Sequence, residues 1–149
     1  MDKSIGDLDG EIIWTLADNS RLSFRELAKK LGVSTSTIAQ HVKHLERDRV
    51  LRRYSVDLDW EKLGFDLTAL IEITIRGQPL LKVQAAIAKM PQVVSVWDIT
   101  GDFDSMALVR VKNRRELSTT VKKILDIEGV EHSDTHLILN TVKENYLTL

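Results

Sequence analysis

Residues 23–46 have the sequence SFRELAKKLGVSTSTIAQHVKHLE, in which a glycine separates two short amphipathic stretches. Ser23 followed three residues later by Glu26 is the pattern of a capping box, in which each side chain hydrogen-bonds the other residue's backbone N–H. One apolar helix face then follows at spacings of three and four residues: Phe24, Leu27, Ala28 and Leu31. Gly32 is predicted to end this first helix, because glycine takes a left-handed conformation at little cost.

A second helix is predicted to begin after Ser34, whose side chain can cap its first turn. Its apolar face consists of Ile38, Val42 and Leu45. Two helices joined by a four-residue turn form the helix-turn-helix pattern, in which the second helix enters the major groove of DNA. The sequence therefore predicts a DNA-binding segment here, although an ordinary pair of solvated helices has the same apolar periodicity.

The other side chains of the second helix are polar, and several can read base edges or hold phosphates. Residues 21–53 also carry nine lysines and arginines against three acidic residues, although the whole chain has a net charge of −1. This local excess favours double-stranded DNA as a partner. The predicted DNA-contacting residues are Arg25, Ser34, Thr35, Ser36, Thr37, Gln40, His41, Lys43, His44, Arg47, Arg52 and Arg53.

Residues 50–56 (VLRRYSV) are β-prone and contain two arginines, so we expect a wing near the DNA backbone. The alternative is an ordinary edge hairpin. The predicted domains are a DNA-binding domain at residues 1–54, a linker at 55–66 and a second domain at 67–149.

The second domain begins with a hydrophobic pattern that alternates at every second residue, unlike the helical spacing of residues 1–54. Apolar residues from Leu67 to Ile75 alternate with a mixed set, which is the pattern of a strand. Helical stripes run from Leu80 to Met90 and from Leu117 to Leu125, and further strands are predicted at 93–100, 105–112 and 130–142. Strand–helix–strand thus occurs twice, which predicts a βαββαβ ferredoxin-like sandwich in an α+β chain. Apolar residues on both faces of the strands predict that the sheet packs on a second copy, giving a homodimer suited to palindromic DNA.

Composition excludes several other classes of protein. The chain has no cysteine, no apolar run approaching 18 residues, and no signal-peptide core in its first 20 residues. We therefore expect a cytoplasmic protein with no membrane partner. No cofactor and no metal site are predicted, because His132, Asp134 and His136 are spaced along one strand without a fourth ligand. No nucleophile motif or phosphate-binding loop is present, so no enzyme activity is expected.

Over nearly its whole length the chain resembles the Lrp/AsnC (feast/famine) transcriptional regulators. The matching pieces are residues 31–34 (LGVS), 37–38 (TI), 45–46 (LE), 63–64 (LG), 100–104 (TGDFD), 129–130 (GV), Ser133, Thr135 and 137–139 (LIL). The resemblance implies a winged helix-turn-helix joined by a β-linker to a ferredoxin-like (ACT-like, RAM) ligand-binding domain. It also implies dimers that assemble further, usually to octamers, and a small-molecule effector, commonly an amino acid, bound between dimers.

For the effector site, the resemblance indicates the turn residues Thr100, Gly101, Asp102 and Asp104 with the strand residues Ser133 and Thr135. Asp98 and Gln78 are secondary candidates, expected at the same edge, or rim, of the site. Carboxylates, hydroxyls and backbone N–H groups can together bind the two charged ends of an amino acid. The alternative is that the segment is simply a β-turn, where Asp and Gly are common. A different function, a stand-alone amino-acid-sensing module acting on an enzyme, would not require the basic helix pair.

Three positions depart from the family pattern. His41 stands where an arginine is usual, and Arg49 and Arg53 stand where glycines are common around the wing. Because Arg49 cannot adopt a positive φ as cheaply as glycine, the geometry of the wing is expected to differ.

Overall fold

The computed structural model describes residues 6–144, which divide into two compact units, one ending at Asp57 and the other running from Leu58 to Glu144. The ends of the two predicted domains, residues 1–5 and 145–149, lie outside the described residues. The elements in chain order are α1 (Asp7–Asp18), α2 (Phe24–Leu31), α3 (Thr35–Arg47), β1 (Leu67–Ile75), α4 (Leu80–Ile87), β2 (Val93–Asp98), β3 (Ser105–Val111), α5 (Arg114–Leu125) and β4 (Val130–Leu137).

The first unit is a three-helix arrangement that contains the predicted helix-turn-helix. The capping box at the start of α2 is confirmed: the Ser23 backbone N–H donates to Glu26 Oε2 at 2.8 Å, and the Glu26 N–H donates to Ser23 Oγ at 3.3 Å. Gly32 ends α2 in the left-handed conformation, with φ of 69°. The core of the unit is formed by buried apolar side chains from all three helices: Ile12, Leu16, Leu27, Ala28, Ile38, Val42 and Leu45.

The strand predicted for residues 50–56 is not present, since the described chain contains no strand before Leu67. Residues 52–59 are exposed, and among residues 6–144 no strand pairs with them. An isolated extended segment leaves its backbone N–H and C=O groups without partners, so β propensity alone does not make it a strand. The predicted β-structure of the linker, residues 55–66, is likewise not present in the described part of the chain.

The second unit has the predicted ferredoxin-like topology. Its four-stranded antiparallel sheet has the order β2-β3-β1-β4, with β1 and β3 in the centre. Alternate β1 residues Ala69, Ile71 and Ile73 are fully buried and pack with Val83 of α4 and Ile124 of α5. One face of the sheet is therefore covered by helices. β4 ends at Leu137, five residues before the predicted end.

The segment before β1 is an ordered turn of the second unit. Trp60 and Phe65 make an edge-to-face contact with ring centroids 5.6 Å apart. The Arg110 guanidinium lies 4.6 Å from the Trp60 ring, and Lys112 Nζ lies 5.5 Å from the Phe65 ring. Cation–π contacts of this kind hold the turn against β3. The limits of the linker, residues 55–66, stay a prediction.

Candidate nucleic-acid interface and effector region

The second helix of the helix-turn-helix, α3, has one buried face and one exposed polar face. Ile38, Val42 and Leu45 are each at most 3% exposed. On the opposite side, four exposed polar residues recur at spacings of four, three and four: Ser36, Gln40, Lys43 and Arg47. At about 100° per residue these four lie within one narrow sector of the helix. We call them the outward stripe of α3.

Hydroxyl groups at the start of α3 are engaged with one another. Ser34 Oγ accepts a hydrogen bond from the Thr37 N–H at 3.0 Å, and so caps the helix as predicted. The same oxygen lies 2.8 Å from Ser36 Oγ and 2.7 Å from Thr37 Oγ1. Ser34, Ser36 and Thr37 therefore form one hydroxyl cluster, in which Ser36 stays exposed, and Thr35 beside it is exposed as well.

His41 lies off the outward stripe. Its Nδ1 is 2.7 Å from Asp9 Oδ1 on α1, and 35% of its side chain is exposed. The contact joins α3 to α1 and fixes the orientation of the imidazole ring. The predicted DNA contact of His41 is therefore less direct than that of the stripe residues.

Basic residues surround α3. Arg47 donates from Nε to Asp48 Oδ1 at 3.2 Å, and its Nη2 lies 2.6 Å from His44 Nδ1, yet 69% of the Arg47 side chain stays exposed. The other predicted basic contacts are also exposed: Arg25, Lys43, Arg52 and Arg53. Close by, Tyr54 donates its hydroxyl to Glu46 Oε1 at 3.0 Å, and partial burial together with this carboxylate raises the pKa of Tyr54.

The predicted effector residues of the second unit lie toward one end of the sheet. Asp98 pairs with Ser105, Ser105 with Ile73, and Ile73 with Ser133, so these residues form one row across all four strands. Three strand spacings separate Asp98 from Ser133, or roughly 14 Å. One small amino acid cannot contact both ends of such a row within a single chain.

The turn between β2 and β3 contains both exposed and anchored groups. Thr100 and Asp102 are exposed, and within residues 6–144 their side chains make no hydrogen bond or ion pair. Gly101 has φ of 128°, which favours glycine. Asp104 is different, because its Oδ2 accepts a hydrogen bond from the Ile75 N–H at 2.8 Å. The Asp104 carboxylate therefore ties the turn to the end of β1.

The remaining rim residues differ in their surroundings. Ser133 Oγ is buried and has no hydrogen-bond partner among the described residues, while Thr135 is exposed. Gln78 is occupied, since its amide donates to Glu128 Oε1 at 2.8 Å and its carbonyl accepts from Lys82 Nζ at 3.0 Å. Ser133 thus differs from the exposed hydroxyls of Thr100 and Thr135, because its unused hydrogen-bonding capacity is buried.

Two features of the second unit were not predicted from the sequence. Gln84 of α4 is 8% exposed and donates to Ser105 Oγ at 3.2 Å, a buried polar link beside the effector row. Gln84 lies four residues after Leu80 and three before Ile87, so it shares their helix face, and this spacing is the signal that could have indicated its burial. A shallow hollow of about 340 Å³ lies elsewhere, between the Trp60 turn and residues 138–144, with Arg110 and Thr68 in its wall. It includes none of the predicted effector residues.

The described residues include no helix with the length and apolarity needed to cross a bilayer. They also include no group of three or more acidic, histidine or cysteine side chains arranged to hold a metal ion.

A helix-turn-helix with an exposed polar stripe, followed by a ferredoxin-like unit, defines a DNA-binding regulator with a separate ligand-binding domain. Comparison with known proteins agrees. Residues 6–52 match the family described as winged helix-turn-helix DNA-binding, and residues 68–148 match the Lrp/AsnC ligand binding domain. The chain belongs to the Lrp/AsnC family of transcriptional regulators, which confirms the resemblance.

Relatives match along almost the whole chain. An uncharacterized HTH-type transcriptional regulator of Pyrococcus abyssi is 38% identical over 142 residues, covering 95% of this chain and 97% of that protein. The HTH-type transcriptional regulator FL11 of Pyrococcus furiosus is 31% identical, with 94% and 93% covered. Among solved structures, a transcriptional regulator of Neisseria meningitidis in complex with L-Met superimposes with a TM-score of 0.89 at 26% identity, covering 96% of this chain and 95% of that one.

Proposed function

We propose that this regulator binds double-stranded DNA as a homodimer through α3, and that an amino acid bound between dimers of the second unit modulates the binding. The observation that carries the DNA assignment is the outward stripe of α3, which is polar, exposed and opposite a fully buried face. Two copies of α3 in the dimer would enter successive major grooves about 34–36 Å apart.

The predicted contacts have different roles. Thr35, Ser36 and Gln40 carry hydroxyl and amide groups that can pair with base edges, and they would determine sequence preference. Phosphate contacts would come from the exposed basic residues Arg25, Lys43, Arg47, Arg52 and Arg53 and supply most of the affinity. His41 and His44 would contribute at the margin, since both are held by acidic neighbours.

Dimer formation is supported by the open face of the sheet. Trp97, Met106, Leu108 and Leu70 alternate with the core-facing residues and therefore lie on the face opposite the helices. Trp97, on the edge strand β2, is 44% exposed and leaves a large part of its indole in contact with water. Leu108 is already only 8% exposed, and a second copy packed on this face would remove Trp97, Met106 and Leu70 from water. Assembly of dimers to an octamer stays a prediction, to be measured by sedimentation.

The separation of the predicted effector residues supports a site between copies. Because Asp98 and Ser133 lie roughly 14 Å apart across the sheet, one amino acid can contact both of these residues only if neighbouring copies contribute them. The neisserial relative was solved with L-Met, which is consistent with an amino-acid ligand here. Binding would shift the contacts between dimers, with a coupling of about 1–3 kcal/mol to DNA affinity.

A thermal-shift screen of the common amino acids, including L-Met, tests the effector proposal, because a ligand bound only by the native state raises the melting temperature. Calorimetry with the best ligand would then compare wild type, Asp102→Asn and the control Asp126→Asn, which changes an exposed carboxylate after α5. We expect at least a 10-fold weaker affinity for Asp102→Asn alone. Equal affinities in all three proteins would place the ligand elsewhere.

Electrophoretic gel shifts with duplexes selected from random sequence test the DNA assignment. The Arg47→Ala variant should weaken binding to all duplexes alike, because phosphate contacts carry no sequence information. The cytoplasmic location stays a prediction.

A further inference from the structure

Arg49 is the one non-glycine residue with a positive φ in the part of the chain that the structure describes, at 56°. It follows α3 and its cap residue Asp48. The Arg49 N–H donates to the Glu46 carbonyl at 3.0 Å, and the Val50 N–H donates to the Leu45 carbonyl at 2.9 Å. These two bonds form a complete Schellman motif, whose left-handed position is usually occupied by glycine.

The fold requires this left-handed turn. Leu51 packs against the core of the first unit, so the chain must reverse directly after α3. The end of α2 provides an internal comparison, because Gly32 has φ of 69° in the equivalent position. Both helices therefore end with a left-handed residue, followed by a residue whose N–H bonds the carbonyl five positions back, but α3 achieves this with an L-residue that resists it.

No contact within the described chain accounts for the arginine. The Arg49 side chain is exposed, and within residues 6–144 it makes no hydrogen bond or ion pair. Arg47, by contrast, is paired with Asp48. Among residues 6–144, Arg49 is thus a cation without an acidic partner, held at the end of α3 in a segment with an excess of six positive charges.

Backbone strain that nothing local offsets is often found where a side chain has a function. We propose that Arg49 binds a DNA phosphate beside the C-terminal end of α3. The inference rests on the proposed function of α3 in DNA binding. It adds a contact residue at a position where the family pattern predicts only a turn.

Four variants of the full chain separate strain from charge. Arg49→Gly relieves the strain and removes the charge, Arg49→Asn tolerates the conformation and removes the charge, and Arg49→Lys keeps both. Arg115→Ala removes one exposed charge from α5 in the second unit and serves as the matched control. Each variant is measured by calorimetric melting, by hydrogen exchange of the α3 amides, and by fluorescence anisotropy with a DNA duplex from 50 to 200 mM salt.

We expect Arg49→Gly to raise the melting temperature of the first unit by about 3–6 °C and to weaken DNA binding about 3- to 10-fold, with a salt slope reduced by about one. Arg49→Asn should change affinity in the same way. Arg49→Lys and Arg115→Ala should bind within about 2-fold of wild type.

Wild-type affinity and salt slope in Arg49→Gly would overturn the phosphate contact, and a lower melting temperature would overturn the strain argument. The Lys43→Ala variant separates failure of the Arg49 contact from failure of the proposed DNA binding by α3. If Lys43→Ala also leaves the salt slope unchanged, the position of α3 on DNA is wrong. If the salt slope falls in Lys43→Ala but not in Arg49→Gly or Arg49→Asn, α3 binds DNA without a contact from Arg49.

Discussion

Replacing Asp104 by alanine should destabilise the second unit even without any ligand. In the folded chain Asp104 Oδ2 accepts the hydrogen bond of the Ile75 N–H at 2.8 Å, in a partly buried position. Alanine leaves that backbone donor unpaired, which costs about 1–3 kcal/mol. Asp102, two residues earlier, is exposed and should tolerate alanine within about 0.5 kcal/mol.

Hydrogen exchange followed by mass spectrometry measures this effect at the bond itself. The peptide containing Ile75 should exchange about 5- to 150-fold faster in Asp104→Ala, if the free-energy loss is expressed as local opening. Asp104→Asn retains a carbonyl oxygen that can accept the same hydrogen bond and should recover much of the protection. Chemical denaturation of Asp104→Ala, Asp104→Asn and Asp102→Ala gives the global free energy of unfolding of each variant.

Equal stability of Asp104→Ala and Asp102→Ala would refute the assignment of Asp104 as a backbone acceptor. The result also decides how ligand-binding experiments are interpreted. A loss of effector binding in Asp104→Ala cannot by itself show a direct contact, because the variant disturbs the turn. Substitution of the exposed Asp102 tests direct contact with the ligand without removing a hydrogen bond of the turn.

Three further predictions concern helix ends and glycines. Gly129→Ala should be strongly destabilising, because φ of Gly129 is +98° and the new Cβ would lie 2.7 Å from Gln78 Cβ. Gly10→Ala, inside α1 with no atom within 4 Å of the new Cβ, should instead stabilise by about 0.5–1 kcal/mol. Thermal melts should therefore shift in opposite directions for the two variants. Ser34→Ala should cost about 1 kcal/mol by loss of the α3 cap, and an unchanged urea midpoint would contradict this. Hydrogen bonds from Ser23 hold the pKa of Glu26 below its ordinary value, so ionised Glu26 stabilises the fold above its unfolded pKa. This stabilisation is lost as the pH falls below about 4.3. In melts from pH 6 to 3, the melting temperature of Ser23→Ala should therefore fall less steeply with pH than that of the wild type.

The helix-turn-helix was predictable because its signals are local. The capping box at Ser23 and the left-handed glycine at residue 32 involve partners within five residues of each other, and the structure has both. The sheet was also predictable, since strand–helix–strand occurs twice and the alternation in β1 indicates one buried face. Local chemistry and hydrophobic period together therefore identify the elements and the fold.

Features that depend on distant partners were not predictable. Residues 50–56 have β propensity, but a strand requires a second strand to pair with, and none of the strands described among residues 6–144 pairs there. The burial of Leu51 forces Arg49 into a conformation that its own preference opposes. Asp104 was predicted as a ligand-binding residue, whereas its hydrogen-bond partner Ile75 lies 29 residues away. Whether Asp104 also contacts an effector stays a prediction.

The position of α3 in a DNA groove is tested most directly by the salt dependence of DNA binding in two matched lysine variants. Lys43 belongs to the outward stripe of α3, and Lys122 is an exposed lysine on α5 of the second unit. Fluorescence anisotropy with one duplex from 50 to 200 mM salt should give a slope reduced by about one for Lys43→Ala and unchanged for Lys122→Ala. Equal slopes for both variants and wild type would contradict the placement of α3 against DNA.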